Sequence, residues 1–186
     1  MKKKLLLVLV LLVIGGAALP LLNLAIPLPA SRLATIKPQS PTHMMALQVL
    51  EKKCVHCHTS EVQLPWYAKF PIARQIIGHD INVGMQHSDF IREFFPEKPG
   101  PLSEVMLSKI EYTTLNRTMP PPPFLLMHWD SFMKEADDQA LLKWIYEERE
   151  KHHATPGAPP EVMRGALQPL PEKVAVNADK VALGEK

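Results

Sequence analysis

The sequence lacks a surplus of either charge, because 21 lysines and arginines stand against 19 aspartates and glutamates in 186 residues. A net charge of +2 gives no basic face that can neutralise many phosphates, which argues against nucleic-acid binding. Aromatic residues are few, at 6%. The only two cysteines are Cys54 and Cys57, which excludes a lipid anchor on an amino-terminal cysteine. The length suits one modest domain with flanking segments.

Proline, in contrast, is abundant, and 19 prolines in this length predict irregular backbone and rigid loops. Residues 27–41 combine small, polar and proline residues and are predicted to form a linker. Residues 154–186 mix proline, alanine, glycine and charge without a sustained period, which predicts a flexible tail. The folded domain is therefore expected between them, over residues 42–153.

The amino terminus has three lysines followed by a long apolar run, which is typical of an export signal. Residues 1–26 are predicted to be either a signal peptide, cleaved near Gly16 to Ala18, or an uncleaved membrane anchor, because the apolar stretch continues past Pro20. The lysines before the run favour a location of the remaining chain on the periplasmic side of the bacterial cytoplasmic membrane.

Apolar residues recur at helical spacing in four places after the linker. The first predicted helix is capped by Thr42 and runs into Cys54, and the later ones cover about residues 72–90, 103–115 and 136–152. Between the last two, four consecutive prolines exclude a continuous helix, because each fixes its φ angle and lacks an N–H donor. The pattern predicts a small all-α domain whose first helix delivers the cysteines.

The segment Cys54-Val55-His56-Cys57-His58 has the spacing of a c-type haem attachment site. Two thiols three residues apart can reach the two vinyl groups of one haem, and His58 then presents its imidazole to the iron. We therefore predict one covalent haem c. A structural zinc site, a dithiol redox pair and a disulfide are the alternatives. The sequence offers no second pair of zinc ligands at a suitable spacing, and its helical pattern does not contain the βαβ unit that a thioredoxin-like pair needs. Export agrees with haem, since c-type haem is attached outside the cytoplasmic membrane.

Met119 is predicted to be the second iron ligand, because electron-transfer cytochromes often place methionine opposite histidine. It precedes Pro120 in a proline-stiffened loop, and a rigid loop holds a thioether at a metal with little ordering cost. Packing of Met119 in an apolar crevice is the alternative. The rival ligands are His79, His87, His128, Met85 and Met127.

Other residues are predicted to build the haem pocket. The rings of Trp66 and Tyr67 are expected to cover a haem edge, and the carbonyls of residues 65–67 to accept the Nδ1 proton of His58. Packing of the two rings in the hydrophobic core is an equally favoured alternative. Arg74 and Arg117 are expected to pair with haem propionates, with plain surface exposure as the alternative.

Six ordered elements carry a resemblance to a known family: Cys54–His58, Leu64–Tyr67, Gly78–Gly84, Met119–Pro121, His128–Trp129 and Leu141–Trp144. With these, the chain resembles the bacterial haem-binding domain family of membrane-anchored or exported c-type cytochromes over about residues 44–150. The resemblance implies a monohaem, cytochrome c-like helical fold, sometimes found beside peroxidase modules. It keeps His128 as a functional candidate and argues against Met85, whose position is more often polar in the family.

The favoured function is that of a monohaem c-type cytochrome that passes electrons between redox partner proteins, with no catalytic residue of its own. One alternative is a haem enzyme or sensor with an open iron face, where His79 or His128 acts as acid and base on peroxide or beside a bound gas. Another is a docking subunit whose proline-rich tail recognises larger partners.

Overall fold

The computed structural model describes residues 2–168, and all regular structure within that range is helical. This confirms the predicted all-α fold class. Short 3₁₀ turns at Arg32–Thr35, Trp66–Lys69 and Trp129–Ser131 join some of the helices. The α-helices are α1 Lys2–Ala25, α2 Pro41–Lys53, α3 Pro71–His87, α4 Phe90–Phe94, α5 Glu104–Asn116, α6 Pro122–Met127, α7 Glu135–His152 and α8 Pro160–Met163.

The core lies where α2 and α5 each pack against α7. Each of these helices has apolar residues three and four positions apart, so that one face of each is apolar and is removed from water. The central side chains are fully buried. They include Leu50 of α2, Leu107 of α5, and Trp144 and Ile145 of α7.

The first domain helix, α2, begins earlier than the sequence predicts. The Ser40 side chain accepts a hydrogen bond from the backbone N–H of His43 at 3.0 Å, and Pro41 occupies the first helical position. Proline suits that position because its missing N–H has no helical partner there. Thr42 is therefore not the cap, and its hydroxyl donates to Glu147 on α7 at 3.2 Å. The predicted cap was wrong by two residues.

The predicted helix over residues 72–90 is divided in two. Its first part, α3, ends at His87, because Ser88 adopts an extended backbone conformation. Asp89 then starts α4 by accepting hydrogen bonds from the N–H groups of Ile91 and Arg92 at 3.0 and 3.3 Å. A strong cap directly after the first helix explains the break.

The proline run is helical at its end. Pro122 and Pro123 form the start of α6, where missing N–H groups cost nothing, whereas Pro120 and Pro121 precede the helix. The prediction that no helix continues through all four prolines is confirmed, and the short helix after them was missed.

The end of α1 contacts the domain. The side chain of Asn23 donates to the carbonyl of Met127 at 2.9 Å and accepts from Nε1 of Trp66 at 3.0 Å. Within the described residues, no helix combines the length and the apolar character needed to cross a bilayer. A signal peptide or membrane anchor in residues 1–26 stays a prediction.

The predicted tail begins with structured residues. Arg164, just after α8, pairs with Glu150 of α7 at 2.7 Å, and the amide of Gln168 donates to the carbonyl of Gly165 at 2.7 Å. The rest of the predicted tail, residues 169–186, lies outside the described residues.

A close backbone contact joins α3 to the segment after α2. A Cβ atom added at Gly84 would clash with the carbonyl oxygen and carbon of Cys57. Gly78, on the same helix, has no atom within 4 Å of such a Cβ. Gly84 therefore lets α3 approach the Cys54–His58 segment more closely than any other residue would allow.

A fully buried arginine joins α7 to α5. The guanidinium of Arg149 meets Glu104 and Glu111, each at 2.8 Å, and donates to the hydroxyl of Ser108 at 3.2 Å. The burial of this cation is tolerated because two carboxylates and a hydroxyl surround it. The cluster fixes the position of α5 on α7.

Replacement of Arg149 by leucine should lower the free energy of unfolding by about 3 kcal/mol, because it leaves two half-buried carboxylates without their cation. Denaturant unfolding measures this loss. The matched control is Arg164→Leu, which breaks an exposed ion pair and should cost much less than the loss of Arg149. Equal losses in the two variants would contradict the assigned role of Arg149.

Replacement of Gly84 by alanine should destabilise the domain by about 2 kcal/mol, because the added methyl group forces α3 away from Cys57. Gly78→Ala is the control on the same helix and should stabilise by up to about 1 kcal/mol through helix propensity alone. Opposite signs in denaturant unfolding are expected. The same sign for both variants would show that the close contact is not required.

Candidate functional site

The Cys54–His58 segment forms a tight turn at the end of α2. The N–H groups of Cys54 and Val55 both donate to the carbonyl of Leu50 at 3.0 Å, and the N–H of His58 donates to Val55 at 3.1 Å. Val55 is fully buried in the hydrophobic core. The buried valine thus holds the turn in place from inside, while both cysteines and His58 line a cavity on the other side.

The His58 ring is held by Ser88, in the break between α3 and α4. Its Nδ1 lies 2.8 Å from the Ser88 hydroxyl and 3.3 Å from the Ser88 carbonyl oxygen. The Phe90 ring stacks on it at a centroid distance of 5.4 Å. Because Nδ1 is engaged, Nε2 is the nitrogen left for a metal, as in other histidine ligands with a backbone partner. The prediction that residues 65–67 supply this partner was wrong.

The cavity beside the turn has a volume of about 670 Å³. This lies within the usual range for sites that enclose a small organic molecule, roughly 300 to 1,000 Å³. Most of its wall is apolar, with Val83 of α3, and Val105, Ile110 and Tyr112 of α5. The structure therefore provides a space large enough for a flat apolar cofactor directly beside the two cysteines.

The proline loop supplies another part of the wall. Met119, Pro120, Pro121 and Phe124 all line the cavity. Met119 is half-buried, and its peptide bond to Pro120 is cis. The predicted ligand pair, His58 and Met119, thus borders one common cavity, as do Cys54 and Cys57.

Three predicted pocket residues do not line the cavity: Trp66, Tyr67 and Arg74. Trp66 is partly buried against α1, and Tyr67 is buried with its hydroxyl 2.6 Å from Nε2 of His128. Arg74 is exposed on α3. Arg117 caps the end of α5 and pairs with Asp138 at 2.9 Å, so it too is placed elsewhere.

The rival ligands divide into two groups. His79 and His87 of α3 line the cavity, and both are exposed. His128 is buried and lies behind Phe124, whose ring stacks on it at a centroid distance of 4.4 Å. Neither Met85 nor Met127 is among the cavity residues. Met119 is therefore the methionine that borders the cavity in the described part of the chain.

Burial controls the protonation of the site. It raises the pKa of Cys54 to about 12 and that of Cys57 to about 11, so both groups are neutral thiols at neutral pH. It lowers the pKa of His58, which keeps the imidazole neutral and able to coordinate a metal. Burial also lowers the pKa of His128 to about 4.

Two lysines border the cavity. Lys53 is buried, and its ammonium pairs with Asp137 and donates to the carbonyl of Phe132 at 2.7 Å. Lys109 is exposed on α5 and donates to the carbonyl of His87. The charge of Lys53 is compensated within the protein, whereas Lys109 meets no carboxylate among the described side chains.

Several site residues were missed from the sequence. Ser88 and Phe90 contact His58 although they lie about thirty residues further along the chain, and no local sequence pattern predicts such a contact. The sequence did contain a pattern that could have identified Gly84, since a glycine inside a helical pattern often marks a close backbone approach. No such pattern identifies Lys109 and Phe124, because only the packing of α5 and α6 brings them to the cavity.

The alternatives to haem gain no support from the geometry. Across residues 2–168, no three histidine, cysteine, aspartate or glutamate side chains are grouped to hold a metal ion. Cys54 and Cys57 are free thiols. The residues that are present suit a haem: a large apolar cavity, two thiols three positions apart, and a neutral imidazole with a free Nε2.

Comparison with known proteins agrees with this geometry. The chain is 34% identical over 137 residues to cytochrome c peroxidase Ccp of Escherichia coli strain K12, a match that covers 72% of this chain and 29% of that protein. The chain thus corresponds to less than a third of this relative. No solved structure matches. The haem-binding domain family matches residues 25–147, and the chain therefore belongs to the haem-binding domain family.

Proposed function

We propose that this protein is a monohaem c-type cytochrome that carries electrons on the periplasmic side of the bacterial cytoplasmic membrane. One observation carries the proposal: Cys54, Cys57, His58 and Met119 border the same apolar cavity. Two thiols and a neighbouring imidazole form an attachment unit, and a thioether in the proline loop of the same cavity completes a His/Met ligand pair. A bound haem supplies a one-electron couple between ferrous and ferric iron.

The attachment turn is suited to covalent binding. Cys54 and Cys57 would each hold the haem through one thioether bond, the product of adding a thiol S–H across a vinyl group, which needs no other reactant. Val55 in the core and Gly84 behind Cys57 keep the turn fixed. The two sulfurs therefore stay close to His58, whose Nε2 is free for the iron.

The protein environment favours a high reduction potential. A thioether from Met119 is a weak donor that stabilises ferrous iron, and the apolar cavity disfavours the additional charge of ferric iron. Lys109 stands at the exposed edge of the cavity without a carboxylate partner among the described residues, so it is the cation that we assign to a haem propionate. It takes the role first expected for Arg74 and Arg117.

Export and partners belong to the same proposal. The lysines and the apolar run at the amino terminus support delivery across the cytoplasmic membrane, where covalent haem attachment occurs. The partners are redox proteins, and the relative called a cytochrome c peroxidase supports a haem peroxidase module as one electron acceptor. Such a module passes the electrons on to peroxide.

A second candidate is a haem enzyme or sensor in which one iron face is open. The name of the relative favours it, and so does His79, an exposed imidazole at the cavity that can act as acid and base on bound peroxide. His128, the other residue considered for this role, is engaged with Tyr67 behind Phe124. The two functions differ in whether Met119 occupies the second face of the iron.

Replacement of both Cys54 and Cys57 by alanine should abolish covalent haem, because no thiol remains to form a thioether bond. Each single variant should keep haem through one bond. Haem absorbance that stays with the protein after acidic acetone extraction is the measurement. His56→Ala is the matched control, since His56 lies between the cysteines and has no assigned bond to haem. Full retention of haem in the double variant would exclude covalent attachment through these residues.

Replacement of Met119 by alanine should remove the near-infrared sulfur-to-iron band of the ferric protein, lower the reduction potential and allow carbon monoxide to bind ferrous iron. Met85→Ala and Met127→Ala are the controls, because neither methionine lines the cavity. A wild-type protein that lacks this band and binds carbon monoxide at once would support the open-face enzyme instead. Loss of the band in a control variant would assign the ligand elsewhere.

A further inference from the structure

A buried hydrogen bond outside the cavity joins two distant segments of the domain. The hydroxyl of Tyr67, in the 3₁₀ turn Trp66–Lys69, lies 2.6 Å from Nε2 of His128, which follows α6. The residues are only 6% and 4% exposed. Burial lowers the pKa of His128 to about 4, so its ring is neutral at pH 7, and Nε2 and the Tyr67 hydroxyl share one proton in this hydrogen bond.

One end of this hydrogen bond leads to the Met119 loop. The ring of Phe124 stacks on His128 at a centroid distance of 4.4 Å, and the N–H of His128 donates to the carbonyl of Phe124 at 3.0 Å. Phe124 lines the cavity, and only four prolines separate it from Met119. Because prolines have little backbone freedom, the position of Phe124 restricts the position of Met119. The location of His128 therefore determines the location of the Met119 loop.

The other end leads to the haem attachment turn. Phe70 ends the 3₁₀ turn by donating its N–H to the carbonyl of Tyr67 at 3.1 Å, and α3 begins at the next residue. Further along the same helix, Gly84 is in close contact with the backbone of Cys57. The Tyr67 hydroxyl thus belongs to the part of the domain that carries His58.

We propose that Tyr67 and His128 are positioning residues that hold the Met119 thioether at the iron. This inference rests on the proposed His58 and Met119 ligation. A thioether is a weak ligand, and a small displacement of its loop is enough to lose it. The hydrogen bond joins the wall of the cavity that carries His58 to the wall that carries Met119. Neither side chain has to touch the haem for this role.

The test uses the haem-loaded protein and imidazole as a competing ligand for ferric iron. Tyr67→Phe and His128→Phe both remove the hydrogen bond and should raise the apparent imidazole affinity about fivefold to tenfold, the change expected when one buried hydrogen bond is lost. His128→Gln should restore the wild-type affinity within about twofold, because its side-chain amide can accept from or donate to the Tyr67 hydroxyl. Tyr146→Phe, a similar change away from the cavity wall, should have no effect.

Amide hydrogen exchange of the same haem-loaded proteins tests the role of the hydrogen bond independently of the proposed iron ligation. Amides of residues 118–127 should exchange faster in Tyr67→Phe than in Tyr146→Phe, whereas amides of α2 should not change. If wild-type protein shows no sulfur ligation, the proposed function fails, and the exchange rates still test whether the hydrogen bond holds the loop. Wild-type exchange and wild-type imidazole affinity in Tyr67→Phe and His128→Phe would overturn the inference.

Discussion

The site depends on the packing of one five-residue turn against the core. Val55 is buried inside the domain, which forces the flanking cysteines and His58 toward the cavity. Gly84 lets α3 lie directly on the carbonyl of Cys57, and Ser88, just after that helix, holds Nδ1 of His58. Since core packing fixes a backbone much more firmly than solvent-exposed contacts do, the three reactive groups have nearly fixed positions before any cofactor arrives.

The part of the cavity wall that contains Met119 is held by weaker contacts. The Met119 loop is short and rich in proline, and its position comes from Phe124 and His128 rather than from the main core. Under the proposed ligation the two groups would have different tasks: the His58 imidazole would retain the haem, and the Met119 thioether would set how readily another ligand can take its place. In the proposed function, the choice between electron transfer and ligand binding would depend on the Met119 loop.

Local patterns indicated the main helices after the linker and the candidate reactive residues, but not the break between α3 and α4, the short helix α6, or the contacts that hold these residues. The attachment unit of Cys54, Cys57 and His58 can be recognised in the sequence because its chemistry requires residues that are close together in the chain. The helices can be recognised because one face of each is apolar. Ser88 and His58 are 30 positions apart, and Tyr67 and His128 are 61 apart, so only the tertiary fold pairs them. Tyr67 was predicted to cover a haem edge, but it is buried outside the cavity lining, with its hydroxyl at Nε2 of His128. Arg74 was chosen for its charge, which says nothing about the side of α3 on which it lies.

The central claim, a single haem bound through Cys54 and Cys57, is tested most directly by the mass of the intact, denatured protein. The sample should come from a host that attaches haem to exported c-type cytochromes. The account predicts one species whose mass equals the polypeptide plus one haem, with the added mass on the peptide that contains both cysteines. A polypeptide of unmodified mass, with all haem released on denaturation, would contradict it.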